Sequence, residues 1–288
     1  MEYTMIIKPA HLKKEFDEAC RGEIFKRGLT TGFPDLDENI KLAKSYLTII
    51  TGYPGSGKSE WLDAVLLNMT LLHNWKIMYF SPENHPVEQH MAKLAEKYIG
   101  CGVSQFTTTN RDESFEYLTE HFTWTYPEDP TLDIILSNAF EVYQETGLDA
   151  LVIDPWNALT SKRDTQLIHE DLGRRLTKTI KFARDNDILV CVVAHPSKPL
   201  KDKQGNIGMP NLYDISDGAM WRNKADYGIV CHRQDMSKNE LIISVQKIKQ
   251  KWMGKLGMKV LQYDWRSGRF KCDSEEDFYL PTEITPPF

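Results

Sequence analysis

Residues 52–59 read Gly-Tyr-Pro-Gly-Ser-Gly-Lys-Ser, a match to GxxxxGK[ST]. No other feature constrains the fold as much, because this octapeptide works only between a strand and a helix. Both flanks comply. Tyr46–Thr51 is a β-prone run, and Lys58–Asn74 carries apolar residues on several sides (Trp61, Leu62, Val65, Leu66, Met69, Leu72), as a buried helix does. Gly52, Gly55 and Gly57 let the backbone curl so that its N–H groups point at phosphate oxygens, and the helix N-terminus adds favourable partial charge. Lys58 is placed to contact the β- and γ-phosphates of a nucleoside triphosphate, and Ser59 to ligate Mg²⁺. Pro54, Ser56 and the first-turn Glu60 complete the nucleotide-binding set. With glycine near 7% of residues, a chance match in a chain this long is on the order of one per cent.

The rest of the chain alternates between strands and helices. Strands are expected at Lys76–Ser81, Ala150–Asp154 and Ile188–Ala194, then near 227–232, 240–248 and 258–263. Pro86 opens a helix to Tyr98 with Val87, Met91, Leu94 and Tyr98 on one face. Leu132–Thr146 and Asp164–Asn186 read as helices, the second with Leu172, Leu176, Ile180 and Ala183 on one stripe. Residues 102–130 are less regular, and Pro196–Pro210 is a polar loop. The pattern is α/β: a mainly parallel sheet with helices on both faces, whose ligands sit at the carboxyl ends of the strands.

Three further residues lie at such ends. Asp154 closes an apolar strand, as a Mg²⁺-associated acid does, although a strand-ending Asp is also a common cap. Glu83 follows the strand after the phosphate loop. Hydrolysis needs a group that orients and deprotonates the attacking water, and a carboxylate can do so. The strand beside the loop is the expected place for one, but an acid at a helix start is also favoured by the dipole. His195 follows strand 188–194 directly; it can touch a γ-phosphate, or be a hydrogen-bonded histidine at a strand end.

Charge narrows the partners. Lys plus Arg is 35 and Asp plus Glu is 41, a formal net charge of −6, which excludes a uniformly basic nucleic-acid binder but not a local basic channel. Lys247, Lys249, Lys251, Lys255 and Lys259 fall in a stretch with no acid, and the 247/249/251 alternation would place three ammonium groups on one strand face. That face is either solvated or directed at phosphates. Lys162, Arg163, Lys198, Lys201 and Lys203 are candidate contacts to a nucleic acid backbone. The five cysteines are dispersed, with no metal-type spacing, which suits a reduced, cytosol-like compartment. The longest apolar run, Ile188–Ala194, is far short of a membrane span.

Seven segments carry a resemblance: RGLTTGFPDLDE from Arg27, TGYPGSGKSEWLDA, SPEN, LVIDPWN, VVAHP, PNLYDIS with NKADYGIVCHR, and KIKQKWMGKLG. The chain resembles the C-terminal helicase domain of the Twinkle family, within the DnaB-like, RecA-fold replicative helicases, and is especially similar to plant and phage Twinkle-like primase–helicases. The resemblance implies a RecA-like P-loop core that forms a ring, usually a hexamer, hydrolyses ATP between subunits and moves on single-stranded DNA. It implies Glu83 as catalytic base, Asp154 as metal-associated acid and His195 as γ-phosphate sensor. By the same similarity Arg233 and Tyr263 would flank the base, and loops near 160–166 and 197–212 would line the DNA channel.

Two departures stand out. The family's Lys-x-Arg pair, whose arginine reaches the neighbour's γ-phosphate, is here Lys247-Ile248-Lys249; a register of Lys249-Gln250-Lys251 also fits. Lysine supplies a point charge without the bidentate fork. No priming or collar domain accompanies the core, so the expectation is an excised motor or a helicase working with a separate primase and polymerase. The division implied is a docking linker helix over 1–26, the ATPase core over 27–272 and an acidic tail over 273–288. The expected location is the cytosol of a bacterium or of a phage-infected host. Alternatives are a RecA-fold, DNA-stimulated ATPase that does not unwind, such as a recombinase-like protein or a loader, and a nucleotide-gated assembly protein with little hydrolysis.

Overall fold

The computed structural model describes residues 8–22, 28–160, 168–197, 207–216 and 218–275. Helix α1 (Lys13–Cys20) has no buried residue and leaves Phe16 exposed. The short α2 (Pro34–Asp37) leads to β1 (Leu47–Thr51), α3 (Lys58–His73), β2 (Ile77–Phe80) and α4 (Val87–Ile99). Then come α5 (Thr108–His121), β3 (Phe122–Trp124), α6 (Leu132–Thr146), β4 (Ala150–Ile153), α7 (Ile168–Asp185) and β5 (Leu189–Val193). The chain continues through α8 (Met220–Lys224), β6 (Tyr227–His232), β7 (Glu240–Ile248), β8 (Gly257–Tyr263) and β9 (Phe270–Cys272).

The described strands form one sheet in the order β3-β2-β4-β5-β1-β6-β7-β8-β9. From β3 to β6 every pairing is parallel; β7, β8 and β9 add antiparallel strands at one edge. The central strands are buried on both faces, which explains why they read as continuous apolar runs rather than alternating ones. Alternate residues feed two cores. Ala150, Val152, Cys191 and Val193 pack under α3 and α4, whereas Leu151, Ile153, Val190 and Val192 pack under α6, α7 and α8. Among the described residues no helix is long and apolar enough to cross a membrane.

Four expectations need correction. Residues 102–130 contain α5 and the edge strand β3. The helix begins on a capping box, in which Thr107 and Asn110 bond each other's backbone, and it buries only Ser114, Leu118 and His121, so its apolar period is faint. Pro86 is the N-cap of α4 rather than a residue of its first turn. Strand β2 is not beside β1: β4 and β5 lie between them, a separation of about 14 Å at the usual strand spacing. Finally, β7 stops at Ile248, so Lys247, Lys249 and Lys251 do not share a strand face.

Candidate active site

The carboxyl ends of β1, β2, β4, β5 and β6 point to one edge of the sheet. Strand β8 runs parallel to β6 through two antiparallel steps, so its end points there too. That edge gathers Gly52–Ser59, Glu83, Asp154, His195, Arg233 and Tyr263 from six segments.

The phosphate loop turns on two demanding glycines. A Cβ on Gly52 would lie 2.2 Å from the Cys231 carbonyl of β6, and Gly57 caps α3 in the left-handed region, φ 80°. Lys58 is buried, and its Nζ donates to the carbonyls of Gly52 (2.9 Å) and Tyr53 (3.1 Å), which places the ammonium inside the curl of the loop. Burial lowers the Lys58 pKa, and the surrounding Cys231, Asp154 and Glu83 oppose that shift. Pro54 and Gly55 are exposed at the tip of the loop.

Asp154 is 2% exposed. Burial pushes its carboxyl up to about 6; a hydrogen bond with Ser59 and the charge of Lys58 oppose the rise, while Asp63 and Glu83 add to it. Its Oδ1 is buried with no hydrogen-bond partner, as are Ser56 Oγ and His195 Nδ1. Buried polar atoms are rarely left unpaired. A costly buried carboxylate with a free oxygen, next to a serine hydroxyl, fits a divalent cation bound beside phosphate. Ser59 and Asp154 would hold it. Glu83 is 57% exposed on the turn after β2, and its Oε1 lies 3.5 Å from His195 Nε2. The turn that carries Glu83 thus brings its carboxylate past β4 to the residue that follows β5.

Arg233, Tyr263, Gly57, Glu60, Asn239 and Phe270 line a cavity of about 190 Å³ next to the phosphate loop. The Arg233 guanidinium is braced by the carbonyls of Met236 (3.1 Å) and Lys238 (2.6 Å). The Tyr263 hydroxyl donates to Glu60 Oε1 at 3.3 Å, and its ring meets Phe270 at 4.9 Å. Burial, and the negative charge of Glu60 after it, raise the Tyr263 pKa. Beneath the cavity the buried Lys97 of α4 pairs with Glu60. Sequence reasoning missed Asn239, Phe270 and Lys97. The one available signal was Lys97 on the apolar face of α4, where an unpaired lysine would be costly.

Other expected residues lie elsewhere. Lys247 and Lys249 are at the end of β7, on the opposite edge of the sheet. Lys247 Nζ donates to the carbonyls of Arg222 and Asn223, and Lys249 Nζ to Asp226 Oδ1 at 2.9 Å. Lys259 pairs with Glu38. The basic stretch is thus partly neutralised within its own chain. Lys162, Arg163, Lys198, Lys201 and Lys203 lie outside the described residues.

Comparison with known proteins follows the same lines. The chain is 36% identical over 279 residues to the Twinkle homolog protein, chloroplastic/mitochondrial, of Arabidopsis thaliana, covering 90% of this chain and 38% of that protein. It therefore spans well under half the length of that relative. A separately solved ATPase domain superposes with a TM-score of 0.70 at 16% identity, over 92% of this chain and 98% of that one. A DnaB-like replicative helicase, solved in a study of its interactions with primase, superposes with a TM-score of 0.71 at 17% identity, over 93% of this chain and 67% of that one. Both likenesses are of fold. Residues 28–272 match the DnaB-like helicase C terminal domain, and the chain belongs to that family.

Proposed function

We propose that this chain is the motor of a replicative DNA helicase, hydrolysing ATP between the subunits of a hexameric ring and translocating on single-stranded DNA to part the duplex. The observation that carries the reading is the convergence of the phosphate loop, Asp154, Glu83, His195 and the Arg233–Tyr263 cavity on one sheet edge, in a chain of the DnaB-like family.

On this reading the loop N–H groups and Lys58 grip the phosphates, and Arg233 and Tyr263 sandwich the base. Ser59 and Asp154 hold Mg²⁺, which supplies positive charge to the phosphate oxygens when bound. Glu83 orients the attacking water and takes its proton; His195, within 3.5 Å of that carboxylate, senses the γ-phosphate. Lys249, with Lys247 behind it, serves the neighbour's nucleotide, and Lys251 is the alternative finger. Their placement on the opposite edge supports this, because a head-to-tail ring brings opposite faces of successive subunits together. We assign Lys162, Arg163, Lys198, Lys201 and Lys203 to DNA phosphates, residues 1–26 to docking on the next subunit, and 273–288 to a tail outside the core. A separate primase and polymerase are the proposed partners, and a reduced cytosol, bacterial or of a phage-infected host, the proposed location. All five cysteines are free.

The test is strand displacement on a forked duplex with ATP and Mg²⁺. Unwinding that Glu83→Gln abolishes, with nucleotide binding kept, is the expected result. DNA-stimulated hydrolysis without unwinding would remove the helicase assignment. One observation favours a slower machine: the finger position holds lysine, and that lysine is ion-paired within its own chain. Hydrolysis too slow to matter even on DNA would favour a nucleotide-gated assembly protein.

A further inference from the structure

Helix α3 is buried nearly all round, and it carries a carboxylate in its middle. Asp63 is 2% exposed. It lies one turn beyond Ser59, on the same side of the helix. Both of its oxygens are occupied. Oδ1 accepts from the Tyr79 hydroxyl at 3.0 Å, and Oδ2 faces His90 Nε2 at 3.2 Å. The Trp124 indole N–H donates to His90 Nδ1 at 3.0 Å. Because Nδ1 accepts, the ring proton is on Nε2 and is given to Asp63. His90 and Trp124 are further packed against the Tyr79 ring, at 4.7 and 6.2 Å between centroids.

The position of these partners matters more than their number. Tyr79 is on β2, four residues before Glu83; His90 is on α4, seven residues after it. Asp63 therefore grips both flanks of the turn that carries Glu83, and it does so from the helix that begins with the phosphate loop. The turn needs such a brace. Strand β2 shares no hydrogen-bond ladder with β1, and Glu83 is largely exposed, so its placement relative to the loop rests on the backbone that carries it. Stability alone is a weak reason for a buried charge here, since apolar residues of similar volume generally serve a core as well or better.

We propose that Asp63 is a positioning residue for hydrolysis: with Tyr79 and His90 it holds the Glu83 turn at a fixed distance from the phosphate loop. The proposal rests on Glu83 being the base. Tyr79→Phe removes one hydroxyl and leaves the ring packing in place. In the full chain it should lower kcat for ATP hydrolysis about tenfold, with affinity for a non-hydrolysable ATP analogue changed less than about twofold, because small misplacements of a reacting group act on the chemical step. In a Glu83→Gln background the same change should leave the slow residual single-turnover rate where it was, since the two act through one group. Trp124→Phe, which frees His90 Nδ1 without touching Asp63, should show a smaller loss of the same kind. The proposal is overturned if these variants lower the melting temperature and leave kcat intact, or if Tyr79→Phe loses the same factor in both backgrounds. Glu83→Gln leaving hydrolysis intact would overturn the base assignment, and this proposal with it. Glu83→Gln abolishing hydrolysis while Tyr79→Phe loses nothing overturns the positioning role alone.

Discussion

Asp154 shows how a single side chain ties stability to function. Its folded pKa, about 6, lies above the ordinary value of 3.8, so the folded state holds the proton more tightly than the unfolded one. The associated stability is fully present below pH 3.8 and is lost as pH rises through 6. In metal-free protein, Asp154→Asn should raise stability by on the order of 2–3 kcal/mol at pH 8 and by little at pH 3.5. Melting curves with a chelator at the two pH values check the sign, and Mg-nucleotide should erase the gain by stabilising only the parent. Tyr263→Ala should raise the nucleotide Kd about tenfold, as loss of a base-stacking ring does, with kcat at saturation little changed; equilibrium titration separates the two. Residues of the phosphate loop are legible in sequence because their chemistry sits in eight contiguous positions. Lys97, Asn239 and Phe270 are not, because what they do depends on which distant segment the fold lays against them.

At the scale of elements, periodicity served well wherever burial was strong. Helix α6 has the bounds its pattern implies, and α3 differs from its expected span by one residue. Helix α5 and strand β3 were missed for a physical reason. The helix is mostly solvent-facing, so it has little apolar stripe to read, and its start depends on a local hydrogen-bonded cap. Thr107→Ala should therefore lower stability by about 1 kcal/mol, measured by denaturant unfolding, and leave hydrolysis unchanged. The order of strands was equally hidden. Succession along the chain suggests that β2 lies beside β1, and two later strands take that place. On the apolar face of α4, the buried His90 and Lys97 meet Asp63 and Glu60. A charge inside an apolar stripe was the readable trace of that arrangement; the partner's identity was not.

For the whole molecule, the net charge of −6 is compatible with a local basic function because the lysines are unevenly placed and several are spent on internal ion pairs. Lys249→Ala should lower ATP hydrolysis only where subunits meet. Titrating the variant into parent protein at constant total concentration should give a loss of activity that is nonlinear in its fraction; a linear loss would place Lys249 outside the neighbour's site. The β6–β7 pair acquires a particular meaning in such an assembly. One end supplies Arg233 and Asn239 to the cavity beside the phosphate loop, and the other end carries Lys247 and Lys249. Nine residues of β7 span roughly 30 Å. On the proposed ring reading this one pair of strands would reach both the subunit's own nucleotide and its neighbour's, holding the two sites about a strand's length apart.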